Sequence, residues 1–213
     1  MVLLQLALDV TSLERAVEIA RAAARFFDIL EAGTPLIKSE GLYAVEALRR
    51  SHPDKRILAD MKTADTGRLE AHLALERGAD IVTVLGCAPA ETIRAAIEEA
   101  HGAGGEVAVD LLGLEDPVEA ARRLARLGPD YVVVHRGIDE QRAGRAVDPA
   151  LVAAVKEASG ARVAVAGGLR PESMRGLSGA GVDVVVVGGF VTRSPDPGLA
   201  ARRIREAVER WLA

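Results

Sequence analysis

The stretch LADMKTADTG, residues 58–67, sets two carboxylates and one ammonium within six positions: Asp60, Lys62 and Asp65. Its other residues are apolar or small. Three such groups are either a solvated turn or a reaction centre. A carboxylate just after a strand often serves as the N-cap of the next helix, satisfying free N–H groups there. A lone lysine is often a surface charge. What separates the two readings is whether other parts of the chain bring complementary groups to the same place.

Short apolar runs alternate with longer helical patterns along the chain. The runs cover residues 2–9, 27–33, 56–62, 80–86, 106–112, 130–137, 162–168 and 183–189. Most are continuously apolar, which marks strands covered on both faces, as in parallel sheets. Between them, apolar residues recur at helical spacing: Leu13, Val17, Ala20 and Ala24 fall on one face of a first helix, which Thr11 and Glu14 open as a capping box. The glycines after residue 101 stop another helix, and Pro197 suits the first turn of the last. Eight strand–helix pairs without a linker predict a single (β/α)8 TIM barrel over residues 1–213. The competing doubly wound sheet carries GxGxxG after its first strand, whereas this first strand ends in Asp9.

In such barrels the site lies at the carboxyl ends of the strands. In order, those ends offer Asp9, Glu31, Asp60 with Lys62 and then Asp65, Asp110, His135, Gly167–Gly168 and Gly188–Gly189. Each has a bland reading: helix cap, structural histidine, turn glycine. The set is harder to explain that way. Glu31, Asp60 and Asp110 aimed into one mouth repel one another unless a proton or a cation intervenes. Mg2+, with hard oxygen ligands, resolves the conflict, and Lys62 balances the remainder. That arrangement suits an oxyanion such as an enediolate. The paired glycines let backbone N–H groups approach a phosphate. The residues therefore point to a metal-assisted enzyme acting on a small phosphorylated sugar. A non-catalytic sugar-phosphate-binding barrel is the competing class, although a binder has no use for clustered carboxylates.

Composition narrows the setting. A net charge of -4 and a pI near 5.7 supply no field for nucleic acid or an anionic membrane. No run approaches the roughly 18 apolar residues that suggest a membrane span. The N-terminal MVLLQLALDV lacks a basic region and is interrupted by Asp9, unlike a secretory signal. The single cysteine, Cys87, is expected to be buried and fits a reducing compartment. A cytoplasmic location is the expectation.

Asp60-x-Lys62-x-x-Asp65 resembles the D-x-K-x-x-D motif of the orotidine monophosphate decarboxylase suprafamily. Within it, LALDV, EAGTPLIKSEG, DMKTADTG, GADIVTVLG, VAVDLLG, HRGIDEQ, VAGGL and VVGGFVT, in that order, resemble the 3-hexulose-6-phosphate synthase family over nearly the whole chain. The 3-keto-L-gulonate-6-phosphate decarboxylases are the nearest sister; where they carry a glutamate and two arginines, this chain has Asp110, Ile138 and Gly189. The resemblance implies reversible condensation of formaldehyde with D-ribulose 5-phosphate to D-arabino-hex-3-ulose 6-phosphate, through a Mg2+-stabilised enediolate. It further implies Glu31 and Asp60 as metal ligands, Lys62 as oxyanion stabiliser oriented by Asp110, and His135 as proton carrier. Asp9 joins this catalytic set. Gly167, Gly168, Gly188 and Gly189 would cradle the phosphate, with Arg136 either on the phosphate or solvated. Asp65 would reach into the site of a partner subunit, making a homodimer.

Overall fold

The computed structural model describes residues 1–212. The chain order is β1 (Leu3–Leu8), α1 (Leu13–Ala23), β2 (Ile29–Ala32), α2 (Thr34–Glu40), α3 (Tyr43–Ser51), β3 (Arg56–Thr63), α4 (Gly67–Glu76), β4 (Ile81–Leu85), α5 (Ala90–Gly102) and β5 (Glu106–Asp110). It continues with α6 (Pro117–Ala125), β6 (Tyr131–His135), α7 (Ile138–Arg142), α8 (Pro149–Ser159), β7 (Arg162–Ala166), α9 (Met174–Leu177), β8 (Val184–Val187), α10 (Gly189–Thr192) and α11 (Pro197–Trp211). All neighbouring strands pair in parallel, and β8 pairs with β1, closing an eight-stranded (β/α)8 barrel. Ala213, the last residue of the expected terminal helix, lies outside the described residues.

Strand side chains alternate between two faces, and here each face has its own core. Leu4, Leu6, Leu30, Ile57, Ala59, Val107, Val109, Val132 and Val134 point outward and pack under the helices. Ala7, Ile29, Leu58, Ile81, Ala108, Tyr131, Ala164, Ala166, Val184 and Val186 fill the barrel interior. Near the strands' carboxyl ends this inner set includes Ala7, Ala108 and Ala166, whose small side chains leave space. The amino end is closed instead by polar groups. Arg56 pairs with Glu106, Arg162 reaches Glu106 Oε1 at 2.5 Å, and Arg56 Nη1 donates to the Tyr131 hydroxyl at 2.8 Å.

Helix starts follow from local chemistry. Asp116, Asp148 and Asp196 each precede a proline at the first helical turn, and each accepts a backbone N–H from that turn. The first helix departs from expectation. Its N-cap is Ser12, whose Oγ accepts from Arg15 N at 3.3 Å, one residue later than the Thr11 capping box. Its buried residues are Ala16, Ile19, Ala20 and Ala23; of the expected stripe Ala20 and Ala24 are buried, while Leu13 and Val17 are only half-buried. Cys87 is also corrected: it sits exposed in the turn after β4, not buried. Among the described residues, no helix is long and apolar enough to cross a membrane.

Candidate active site

Alternation decides which side chains enter the barrel mouth. On β1, Gln5 and Ala7 face inward, so the next inward position is Asp9. On β2 it is Glu31, on β5 Asp110 and on β6 His135. All four line a cavity of about 350 Å3 at the strands' carboxyl ends, together with Asp60 and Lys62. β3 is irregular where it supplies two of these groups. Between Ala59 and Thr63 it advances four residues while β4 advances two, from Val82 to Val84. Lys62 takes up the bulge with a left-handed backbone, φ 48°, unusual for a residue with a side chain. The conformation is held by Lys62 N, which donates to Thr83 Oγ1 at 2.9 Å. Strain of this kind persists where the surroundings over-determine it, often at functional sites.

A continuous set of hydrogen bonds joins the charged groups. Lys62 Nζ lies 3.0 and 2.9 Å from the two carboxylate oxygens of Asp60 and 3.1 Å from Asp110 Oδ2. The same Asp110 oxygen accepts from His135 Nδ1 at 2.8 Å, and Leu112 N donates to Oδ1 at 2.9 Å. Asp60 also accepts from the hydroxyls of Thr34 at 2.6 Å and Thr83 at 2.8 Å. Gln5 Nε2 donates to Glu31 Oε2 at 2.6 Å. Gly33 passes so close to Asp9 that a side chain at 33 would collide with Asp9 Oδ1.

These neighbours set the protonation states. Burial raises the Glu31 carboxyl well above its usual range, and the charges of Asp60 and Asp9 push it further. Burial and Asp60 likewise raise Asp9. Burial alone would lower the Lys62 ammonium, but Asp60 and Asp110 outweigh it and hold it above its ordinary value. Burial opposes ionisation of Asp110 too, yet the bond and charge of His135, with Lys62, keep it below the usual carboxylate range. Asp110 is therefore ionised and accepts only, so His135 carries its proton on Nδ1 and leaves Nε2 to exchange one.

The four glycines expected at the phosphate, Gly167, Gly168, Gly188 and Gly189, line the same mouth. Gly167 and Gly168 have φ of 124° and 67°, and a side chain on Gly167 would press its Cβ to 2.6 Å from the Arg136 carbonyl oxygen. Two expected residues lie elsewhere. Arg136 is absent from the cavity lining; its guanidinium pairs with Glu140 at 3.3 Å, one helical turn on. Asp65 is exposed, bonded through Oδ1 to Thr66 N at 2.7 Å, and lines an outer groove with Arg68, Leu69 and His72. Sequence reasoning missed Gln5, Thr34, Thr83 and Arg193, all of which line the mouth. Gln5 and Thr83 each interrupt an apolar run, which was the available signal.

Among the described residues, no three acidic, histidine or cysteine side chains converge as a closed metal cage. Glu31 and Asp60 offer hard oxygen donors at a crowded, desolvated point. That donor set fits an ion held by one or two carboxylates while water and substrate oxygens complete its shell, as Mg2+ is commonly held.

The model of the family described as "Orotidine 5'-phosphate decarboxylase / HUMPS family" matches residues 3–204. The chain is 43% identical over 208 residues to a 3-hexulose-6-phosphate synthase of Mycobacterium gastri, covering 96% of this chain and 99% of that one. The crystal structure of a 3-hexulose-6-phosphate synthase from Salmonella typhimurium superposes with a TM-score of 0.93 at 38% identity, covering 98% and 99% of the two chains. A crystal structure of the KGPDC of Streptococcus mutans superposes with a TM-score of 0.94 at 31% identity, covering 100% and 99%.

Proposed function

The chain belongs to the orotidine 5'-phosphate decarboxylase / HUMPS family, and from that membership we propose that it is a 3-hexulose-6-phosphate synthase. The reaction joins formaldehyde to D-ribulose 5-phosphate, reversibly, to give D-arabino-hex-3-ulose 6-phosphate. The observation that carries this reading is the linkage of Lys62, Asp110 and His135: one ionised carboxylate holds an ammonium at 3.1 Å and an imidazole at 2.8 Å on one wall of the cavity.

His135 Nε2 takes a proton from C1 of the sugar. The electron pair moves toward the C2 carbonyl, and Lys62 stabilises the negative charge that grows on that oxygen. The C1 carbon of this enediolate then attacks formaldehyde, forming the new C–C bond. The imidazolium returns a proton to the former formaldehyde oxygen, which becomes a hydroxyl. Asp110 stays charged throughout and balances whichever neighbour is cationic. A Mg2+ ion held by Glu31 and Asp60 would supply further Lewis-acid stabilisation of oxygen charge. The backbone N–H groups of Gly168, Gly188 and Gly189 would face the phosphate.

Asp65 fits this scheme as a residue given to a second copy. It lines a groove outside its own mouth with Leu69, which is 56% exposed on α4, where Leu73 is also exposed. We therefore read the working unit as a homodimer with sites at the interface. Incubating the protein separately with formaldehyde plus D-ribulose 5-phosphate, and with 3-keto-L-gulonate 6-phosphate, tests the assignment. A hexulose phosphate from the first and no CO2 from the second is the expected result; the reverse would make the chain a decarboxylase.

A further inference from the structure

The mouth continues past the glycine pairs into an outer groove between the ends of β7 and β8 and the start of α11. Three arginines line it: Arg170, Arg193 and Arg203. Arg203 has one carboxylate in range, Glu172 at 3.9 Å, where an exposed pair contributes little. Among the described residues, Arg170 and Arg193 form no ion pair, so the rim keeps its positive charge.

Arg193 stands where groove and mouth meet and lines both. Its guanidinium is folded back over Gly189. A side chain at 189 would bring its Cβ within 2.7 Å of Arg193 Cζ and 3.1 Å of Nε. Gly189 is not one of the glycines with a left-handed backbone, so it is space, not conformation, that calls for glycine there. The structure thus makes room for a guanidinium at the glycine cradle and puts no carboxylate on it. A guanidinium offers five donors in a planar fork that matches a phosphate.

We propose that Arg193 grips the phosphate of the substrate from the outer side of the cradle, that Gly189 lacks a side chain to admit it, and that Arg170 and Arg203 draw dianions to this rim. The assignment rests on the reading of the substrate as a sugar phosphate and adds the side chain that selects for that group. Electrostatic focusing of this kind raises the local concentration of an anion before it docks.

The test is calorimetric titration of inorganic phosphate into the wild-type protein, Arg193→Ala, Arg193→Lys and Gly189→Ala, with thermal melts to verify folding. Loss of a charge-assisted bidentate contact should weaken phosphate binding on the order of 10- to 100-fold in Arg193→Ala. Lysine should restore part of it, as charge without the fork. Gly189→Ala pushes aside only the end of a flexible side chain, so the fold should survive while affinity falls; combined with Arg193→Ala it should add little. With D-ribulose 5-phosphate as substrate, KM should rise by a similar factor in Arg193→Ala, and added guanidinium ion should recover part of the loss. Phosphate affinity in Arg193→Ala within twofold of wild type would overturn the proposal, as would fully additive effects of the two alanines. A protein that binds phosphate through Arg193 yet consumes no formaldehyde would sink the synthase reading and leave this one standing.

Discussion

Replacing Asp110 with asparagine isolates the linkage on which the mechanism turns. Asp110 is 3% exposed, and asparagine matches its volume, so no cavity opens. The bond from Leu112 N at 2.9 Å to Oδ1 survives. An amide NH2 then replaces the oxygen that accepts from Lys62 at 3.1 Å and His135 at 2.8 Å, and donor faces donor at both. Lys62 keeps its two contacts with Asp60, at 3.0 and 2.9 Å, and swings toward it. His135 loses the partner that fixes its tautomer. Each charge-assisted bond is worth about 1.5–3 kcal/mol, so the two together amount to roughly 3–6 kcal/mol. At about 1.36 kcal/mol per tenfold in rate, turnover should fall on the order of 10²- to 10⁴-fold. Stability should fall as well, since the imidazole and ammonium lose a buried partner, although the desolvation cost of the removed charge offsets part of the loss. Formaldehyde consumption at saturating sugar phosphate gives the rate, and a thermal melt gives the stability. A folded Asp110→Asn protein within fivefold of the wild-type kcat would refute the reasoning.

Mixing two inactive proteins tests the shared site: Lys62→Ala and Asp65→Ala, dissociated and reassembled together, should recover up to about a quarter of wild-type sites, because one site in each mixed dimer is intact. No recovery on reassembly would place Asp65 outside the partner's chemistry. Thr83→Val removes the acceptor of Lys62 N and a donor to Asp60. It should cost about 1–3 kcal/mol in chemical denaturation for the orphaned groups and slow turnover as well. At the closed end of the barrel, burial would raise Glu106, but bonds from Arg162 and Arg56 outweigh it and hold it below 4.5. A carboxyl depressed in the folded state stabilises fully above its unfolded value and loses that contribution as pH falls through the folded one. Glu106→Gln should thus melt lower at neutral pH, with the gap to wild type closing as pH falls below the ordinary glutamate range; a constant gap would contradict the assignment.

All eight strands were legible because a parallel barrel covers both strand faces, and continuous apolar runs such as residues 183–189 have few other uses. Seven of the eight drew in by one or two residues at the carboxyl end, since apolar character persists into the turns, and the run at 183–189 became Val184–Val187; β3 instead ran one residue further, to Thr63. The charged site residues were legible for the reverse reason, as costly groups at the ends of apolar runs. Arg136 misled because position after a strand does not fix direction: it turns to Glu140 instead of the mouth. Thr34 was invisible because a hydroxyl at a helix start reads as ordinary capping, and only the geometry shows that it and Thr83 both bond to Asp60. The left-handed Lys62 was beyond reach of the sequence, since the bulge exists only in the pairing of β3 with β4. Arg193 lies in a turn after the last strand and reaches the mouth only by folding back.

The most direct test of the account is formaldehyde consumption in the presence of D-ribulose 5-phosphate, followed by NMR of ¹³C-labelled formaldehyde, with Mg2+ and again with excess chelator. The label should appear in a hexulose phosphate when Mg2+ is present, the rate should collapse with chelator, and Lys62→Ala should be slower than wild type by several orders of magnitude with Mg2+. Label that stays in formaldehyde with the wild-type protein and Mg2+, or a Lys62→Ala protein that turns over at a near-normal rate, would contradict it.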